Sequence, residues 1–136
     1  MNQIARDVSP EYNNTQNCKR RYDTTIMKTA IEKTDFLIIL CTCPVNKADY
    51  ITNHLIAHQL AGCINQIPNI KSTFRWEGKV NVEEETLLII KSTANKWEEI
   101  KNVIISVHPY DIPEILAIPI VKGETKFLGW LLEQLV

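Results

Sequence analysis

The chain has 136 residues, of which 45% are hydrophobic and 23% are charged, and its formal net charge is -1. This balance is typical of one soluble globular domain, and the lack of a basic excess argues against a nucleic-acid partner. The longest apolar run, FLIILC at residues 36–41, is far too short to cross a bilayer, so no membrane partner is expected.

The N-terminal quarter of the chain differs from the rest. Residues 1–34 are polar, with paired asparagines and a basic CKRR stretch, and they lack a sustained period of 2 or 3.6. We interpret them as a flexible N-terminal extension and residues 35–136 as the folded domain. Residues 1–26 also lack the apolar core of a signal peptide.

From residue 35 onward, the hydrophobic periods predict alternating strands and helices. A continuous apolar run predicts a buried strand, a spacing of three and four predicts a helix, and Gly or Pro marks the ends. The predicted elements are a strand at 35–43, a helix at 46–62, a strand ending near 76, a turn at 77–79, a strand at 80–93, a helix at 95–108, a strand at 113–121 and a helix at 124–135.

Several local features accompany these predictions. Gly62 suits a helix C-terminus, and Pro68 suggests a bend in the second strand. The apolar parity of strand 80–93 changes near residues 83–85, which indicates a bulge there or a strand whose surroundings change along its length. Asn95 and Glu98 have the spacing of a capping box at the start of a helix.

The order β-α-β-β-α-β, followed by a C-terminal helix, predicts an α+β fold. It is the ferredoxin-like split β-α-β sandwich, with helices on one face of an antiparallel sheet. The predicted hairpin at 70–93 is long for so small a sheet, and its outer half would expose unpaired edges and apolar residues. We therefore expect an oligomer assembled through this hairpin.

Five separated motifs carry a resemblance to one family. LCTCP (40–44), LAGCIN (60–65), FRWEGK (74–79), HPYDIPEI (108–115) and FLGWL (127–131) occur in the order and spacing of the CutA family of divalent-cation tolerance proteins. The resemblance spans about residues 36–135. It implies a ferredoxin-like fold, a compact homotrimer, binding of copper (Cu2+) or another divalent cation, and a role in metal tolerance. It brings no catalytic reaction and no organic cofactor.

The related PII class of trimers shares this fold and binds small molecules at subunit clefts. A PII-like sensor or signalling scaffold is therefore the alternative function, although that likeness is one of fold alone. The chain also departs from its relatives. Some of them carry a histidine where this chain has Val107, and alanine is frequent where this chain has Cys43 and Gly62.

The candidate metal ligands are Cys41, His108 and Glu114. Cys41 ends a buried strand and as a thiolate would suit copper or zinc, but free cysteine is also among the most buried residue types. His108 follows a helix, where it could bind metal through a neutral imidazole or cap the helix. Glu114 could supply an oxygen or pair with a cation. For His108 and Glu114 to bind metal, Cys41 or a neighbouring subunit would have to complete the site.

Other residues have a structural and a functional interpretation. Cys43 could chelate Cu(I) together with Cys41, although Pro44 can turn it away. His54 and His58 share one helix face and could capture a metal weakly, but a solvated face is the simpler interpretation. Cys63 is expected in the core. With Cys18, the chain has four cysteines in no disulfide pattern, which predicts free thiols in a reducing, cytoplasmic compartment.

The tryptophans Trp76 and Trp130 are costly to expose and are expected in subunit contacts. Residues 83–85, three successive glutamates, are interpreted as an exposed charge run that blunts a strand edge. The chain has no phosphate-binding loop, no H-E-x-x-H motif and no assignable catalytic triad, so no catalytic residue and no enzyme activity are predicted.

Overall fold

The computed structural model describes residues 25–136. The predicted succession of elements is present. The elements are α1 (Thr25–Glu32), β1 (Phe36–Cys43), α2 (Val45–Ala57), β2 (Cys63–Trp76), β3 (Lys79–Thr93), a 3-10 turn (Ala94–Lys96), α3 (Trp97–Val107), β4 (Ile115–Pro119) and α4 (Thr125–Gln134).

The four strands form one antiparallel sheet in the order β2-β3-β1-β4. This order is the split β-α-β arrangement that the sequence predicts. β1 is central, and its register pairs Cys43 with Thr86 on one side and Cys41 with Ile115 on the other. β4 is an edge strand, so Pro119 at its end removes no hydrogen bond from the interior of the sheet.

Helices α2 and α3 cover one face of the sheet. Alternate residues of β1 and β3 point toward these helices because side chains in a strand have a period of two. The helices contribute apolar residues at spacings of three and four. The fully buried centre of this core comprises Ile39, Cys41, Cys43, Ile51, Leu55, Leu88, Ile90, Ile100 and Ile104.

Helix α2 ends earlier than the sequence predicts. Its last residue is Ala57, and Gln59 rather than a glycine takes the positive φ, 56°, that reverses the chain. Gly62 was expected at the helix end but has another role. A Cβ on it would lie 2.4 Å from Cδ1 of Leu131, so α4 approaches the backbone at this point closely.

The predicted irregularity of the long hairpin belongs to the other strand. The register runs from Ile67 opposite Leu87 to Ile70 opposite Glu85, so the extra residue lies on β2, where Asn69 has a positive φ of 59°. Pro68 lies at this bulge, as its predicted bend requires. The alternative interpretation, that the surroundings of β3 change along its length, is confirmed. The residues of β3 are mostly exposed before Glu85 and mostly buried from there on.

The predicted capping box of α3 is not formed. A 3-10 turn over Ala94–Lys96 precedes the helix, and the N-cap position is Lys96, which makes no side-chain cap. Asn95 instead accepts a hydrogen bond from the hydroxyl of Thr93. The prediction failed because the chain leaves β3 through a tighter turn than the capping box requires.

The expected extension from 1 to 34 requires a correction at its end. Residues 25–32 form helix α1, which packs against α4, and Ile31 contacts the small cluster of Phe36, Leu128 and Leu131. Nearby, the Glu124 side chain caps α4 by accepting from the backbone N–H of Phe127, 3.0 Å away. The rest of the predicted flexible extension, residues 1–24, lies outside the described residues.

Candidate functional site: the C-terminal end of β1

Cys41 and Cys43 both lie in the core, which is the alternative that the sequence analysis considered for Cys41. Both side chains are 0% exposed and belong to the cluster under the helices. Burial, then the nearby Cys43, Glu114 and Glu85, raise the pKa of Cys41 from 9.0 to about 12. Burial and then Glu85 raise the pKa of Cys43 to about 11. Both thiols are therefore protonated and unreactive at neutral pH.

His108 joins the end of α3 to the end of β1. Its backbone N–H donates to the carbonyl of Ile104, 2.8 Å away, and closes the helix. Its ring Nε2 lies 2.8 Å from the carbonyl oxygen of Thr42, and the backbone N–H of Tyr110 donates to Nδ1 at 3.1 Å. Because Nδ1 accepts and a carbonyl can only accept, the ring is neutral and carries its proton on Nε2.

His108 is the C-cap of α3 through its backbone N–H, but its ring bonds to Thr42 and Tyr110 and not to the last carbonyls of the helix. The imidazole is 8% exposed, and the Tyr110 ring stacks against it at an inclined angle, with centroids 4.7 Å apart. Both ring nitrogens bond to backbone groups, so the residue locks the rigid corner between α3 and β4. A metal ion would have to replace one of these two bonds.

Glu114 is exposed and directly precedes Ile115, the residue opposite Cys41 in the sheet. Its charge is close enough to contribute to the raised pKa of Cys41. The three predicted ligands, Cys41, His108 and Glu114, therefore lie in one region. Within residues 25–136, however, no group of three or more His, Cys, Asp and Glu side chains is arranged to hold a metal ion.

Glu85 is a residue whose importance the sequence analysis missed. It was assigned to an exposed charge run but is only 4% exposed, and its Oε2 has no hydrogen-bond partner among the described residues. Its negative charge acts on Cys41, Cys43 and Tyr110; burial first and Glu85 second raise the pKa of Tyr110 to about 12. The sequence signal was its position, immediately before the buried half of β3.

The outer half of the hairpin presents apolar side chains to solvent. Trp76, at the end of β2, is 46% exposed, and Trp130 on α4 is half-buried beside Phe127 with ring centroids 5.7 Å apart. Large side chains that are exposed in this way are unfavourable in water. The exposed members on the hairpin are Ile67, Phe74, Trp76, Val80 and Val82.

Cys63 is half-buried at the start of β2, and the ammonium of Lys91 lies 3.6 Å from its sulfur. It is therefore less enclosed than the core position expected for it. Among the described residues, Cys41, Cys43 and Cys63 are free thiols. None of the described helices is both long and apolar enough to cross a membrane.

These features define a class of protein: a ferredoxin-like α+β domain with a rigid histidine corner, two buried thiols and a buried carboxylate at one end of its sheet. Residues 37–134 match the family model described as CutA1 divalent ion tolerance protein. The chain therefore belongs to the CutA1 family.

Individual relatives agree with this assignment. The divalent-cation tolerance protein CutA of Thermus thermophilus is 37% identical over 97 residues, which cover 71% of this chain and 94% of that protein. The chloroplastic protein CutA of Arabidopsis thaliana is 38% identical over 96 residues, 70% of this chain and 53% of that protein.

The solved structures of relatives support the fold directly. The structure of CutA from Xylella fastidiosa has a TM-score of 0.73 and 32% identity, and the match covers 75% of this chain and 99% of that chain. The Thermus thermophilus structure has a TM-score of 0.69 and 36% identity, covering 71% and 94%. Helix α1 precedes the residues that match the family model.

Proposed function

We propose that this protein acts in divalent-cation tolerance as a homotrimer that binds copper, or another divalent cation, at the end of β1. Cys41 and His108 would hold the ion and Glu114 would assist. The observation that carries the proposal is that the three residues lie close together. His108 bonds to Thr42, the residue after Cys41. Glu114 directly precedes Ile115, which pairs with Cys41 in the sheet. No catalytic reaction is part of the proposal, and the proposed location is cytoplasmic.

The chemistry of the donors fits a soft or borderline ion better than Mg2+ or Ca2+, because sulfur and imidazole are preferred by copper and zinc. Two changes must accompany binding. Cys41 must lose the proton that burial holds on it, and the His108 ring must give up its bond to Thr42 or to Tyr110. Both changes cost free energy, which lowers the affinity of the site for the ion. Because Cys41 must lose its proton, ion binding also releases protons.

A partner chain would complete the site. The buried Oε2 of Glu85 has no hydrogen-bond partner within residues 25–136, although the same carboxylate interacts with the Tyr110 hydroxyl, and an unsatisfied buried oxygen is costly. A donor or a cation at a subunit cleft would satisfy it. The exposed apolar hairpin and Trp76, together with Trp130, supply the surface on which the proposed subunits pack.

Native mass spectrometry of the reduced protein, with and without stoichiometric copper or zinc, tests both parts of the proposal. The expected species is a trimer with about one ion per chain bound at the end of β1. The double variant Cys41→Ser/His108→Gln should lose that ion, while Cys63→Ser should keep it. Unchanged copper stoichiometry in the double variant would refute the site, and a monomer at micromolar concentration would refute the assembly.

The PII-like sensor is the second candidate, and one cavity supports it. A recess of about 460 Å³, in the size range of small-molecule sites, has two lysines and two leucines in its wall. The short turn at Glu77 and Gly78 offers no long sensor loop. A rise in melting temperature with a small organic anion and no metal would favour this function. The cavity is lined by Lys33, Thr34, Asp35, Thr93, Ala94, Asn95, Lys96, Leu132, Leu135 and Val136.

A further inference from the structure

A pair of histidines lies on the outer surface of α2, away from the end of β1. His54 is in the last turn of the helix, and His58 is its C-cap. Their rings stack with centroids 4.3 Å apart and planes 22° apart. The buried stripe of the same helix consists of Ala48, Ile51 and Leu55, so the histidines are not needed for the core.

The tautomer of His58 is determined by the helix itself. Its Nδ1 lies 2.8 Å from the carbonyl oxygen of His54, and a carbonyl accepts but cannot donate. The proton is therefore on Nδ1, and the lone pair of the neutral ring is on Nε2. Metal-binding histidines typically have this arrangement, in which the nitrogen that does not bind the metal donates to a backbone carbonyl.

His54 provides the second nitrogen. Its ring nitrogens make no hydrogen bond to any residue in the described part of the chain, and the ring lies between His58 and Tyr50, whose centroid is 6.1 Å away. Two nitrogens that each bind one ion at about 2.1 Å must lie within about 4 Å of each other. The half-buried His54 ring would have to rotate about its own side-chain bonds to bring the pair to that separation.

We propose that His54 and His58 form a second divalent-metal site, a bidentate imidazole chelate on the surface of α2 for Cu2+, Ni2+ or Zn2+. Water completes the coordination, since the structure places no third protein ligand there among residues 25–136. Ions that prefer oxygen ligands, Mg2+ and Ca2+, are not retained. The site is independent of Cys41 and His108, so it neither requires nor supports the site at the end of β1.

Ni2+ alone is the probe, because it is paramagnetic and does not oxidise the thiols as Cu2+ would. The chain has 3 histidines, so the imidazole NMR spectrum of the full chain contains three rings. Substoichiometric Ni2+ should broaden the signals of His54 and His58, whether or not it also broadens His108, which belongs to the other proposed site. Broadening that spares both His54 and His58 would overturn the proposal.

The matched control moves one histidine by a single position. The double variant His58→Gln/Gln59→His keeps the composition and net charge but breaks the spacing, and the positive φ at residue 59 is tolerated by histidine. Loss of an outer-shell partner alone costs about 10–100-fold in metal affinity, so breaking the chelate should weaken Ni2+ binding by at least about tenfold.

Calorimetric titration of the wild type, this control and His54→Gln measures the effect. Equal affinity of the wild type and the spacing control would overturn the proposal, because binding would then not depend on the pair. The Cys41→Ser/His108→Gln variant should bind Ni2+ at the α2 pair with unchanged affinity. This arm separates the two sites: loss of the copper ion at the end of β1 with Ni2+ binding retained supports both, and a spacing control that binds Ni2+ with wild-type affinity refutes only the α2 site.

Discussion

The imidazole Nε2 of His108 donates to the carbonyl oxygen of Thr42 across 66 positions of the chain, at 2.8 Å. Through this bond, the end of α3 is fixed to the end of β1. The second bond of the ring, from the backbone N–H of Tyr110, shapes the loop that leads into β4. The same residue is therefore a structural lock and the proposed metal ligand, and experiments must separate the two roles.

The protonation of the two kinds of histidine should differ. We expect His108 to carry its proton on Nε2 and His58 on Nδ1, because each donates to a backbone carbonyl through that nitrogen. Long-range proton–nitrogen NMR spectra at about pH 8, above the usual imidazole pKa, distinguish these tautomers. Finding the same tautomer for both rings would contradict one of the two hydrogen bonds.

Removal of the His108 ring should destabilise the fold. In His108→Ala, the carbonyl of Thr42 and the N–H of Tyr110 both lose a partner, and each unsatisfied buried group costs about 1–3 kcal/mol. We expect a loss of about 2–4 kcal/mol in the free energy of unfolding, because Tyr110 is partly exposed and water can replace some of the lost hydrogen bonding there. Denaturant titration at a fixed protein concentration measures it.

His58→Ala is the control for that variant. The side chain is exposed and its one described bond is local, so the change should stay within about 0.5 kcal/mol. Equal losses in the two variants would show that the bond between His108 and Thr42 has no special weight.

The cysteines should differ in reactivity. Burial keeps Cys41 and Cys43 as thiols, whereas Cys63 is half-buried beside the Lys91 ammonium. With an alkylating reagent near neutral pH, we expect Cys63 to be modified first and the other two only after unfolding. Peptide mapping by mass spectrometry reads the order. Modification of Cys41 in the native protein at the rate of Cys63 would contradict its burial.

Stability should fall in alkaline solution. The pKa values of Cys41 and Cys43 are raised from 9.0 in the unfolded chain to about 12 and about 11. A raised pKa gives stability that is fully present below the unfolded value and is lost as pH rises toward the folded value. The free energy of unfolding should therefore decline from about pH 9 upward, with Tyr110 adding to the decline above its ordinary pKa.

The variant Cys41→Ala/Cys43→Ala tests the cause. It should be less stable at neutral pH because of the cavities, but its alkaline decline should be shallower than that of the wild type. Cys63→Ala, the control, should keep the wild-type slope. An unchanged slope in the double variant would assign the decline to other groups.

The contact between Gly62 and α4 is also testable. In Gly62→Ala, the new Cβ would meet Cδ1 of Leu131 at 2.4 Å and Cβ of Gln134 at 3.4 Å. We expect a destabilisation of about 1–3 kcal/mol, the usual range for overpacking. If the contact is the cause, Gly62→Ala should cost less in a Leu131→Ala background than alone. Purely additive losses in this double-mutant cycle would mean that α4 does not press on Gly62.

The sequence by itself determined the order of the elements, because hydrophobic period is a local property. The run of β1, the stripe of α3 and the turn at Glu77 and Gly78 all lie where the pattern indicated. These elements in this order allow few topologies, so the α+β sheet could be predicted as well. The five motifs identified the family for the same reason, since they are local and correctly spaced.

Only the tertiary structure decided where these residues lie relative to one another. Gln59, and not Gly62, reverses the chain after α2, and the glycine is instead needed where α4 approaches the backbone. The bulge is on β2 because register depends on both strands. Cys41 is in the core, Glu85 is buried, and His108 is bonded to Thr42 because the packing of distant segments sets burial and hydrogen bonding, and no local pattern encodes that packing.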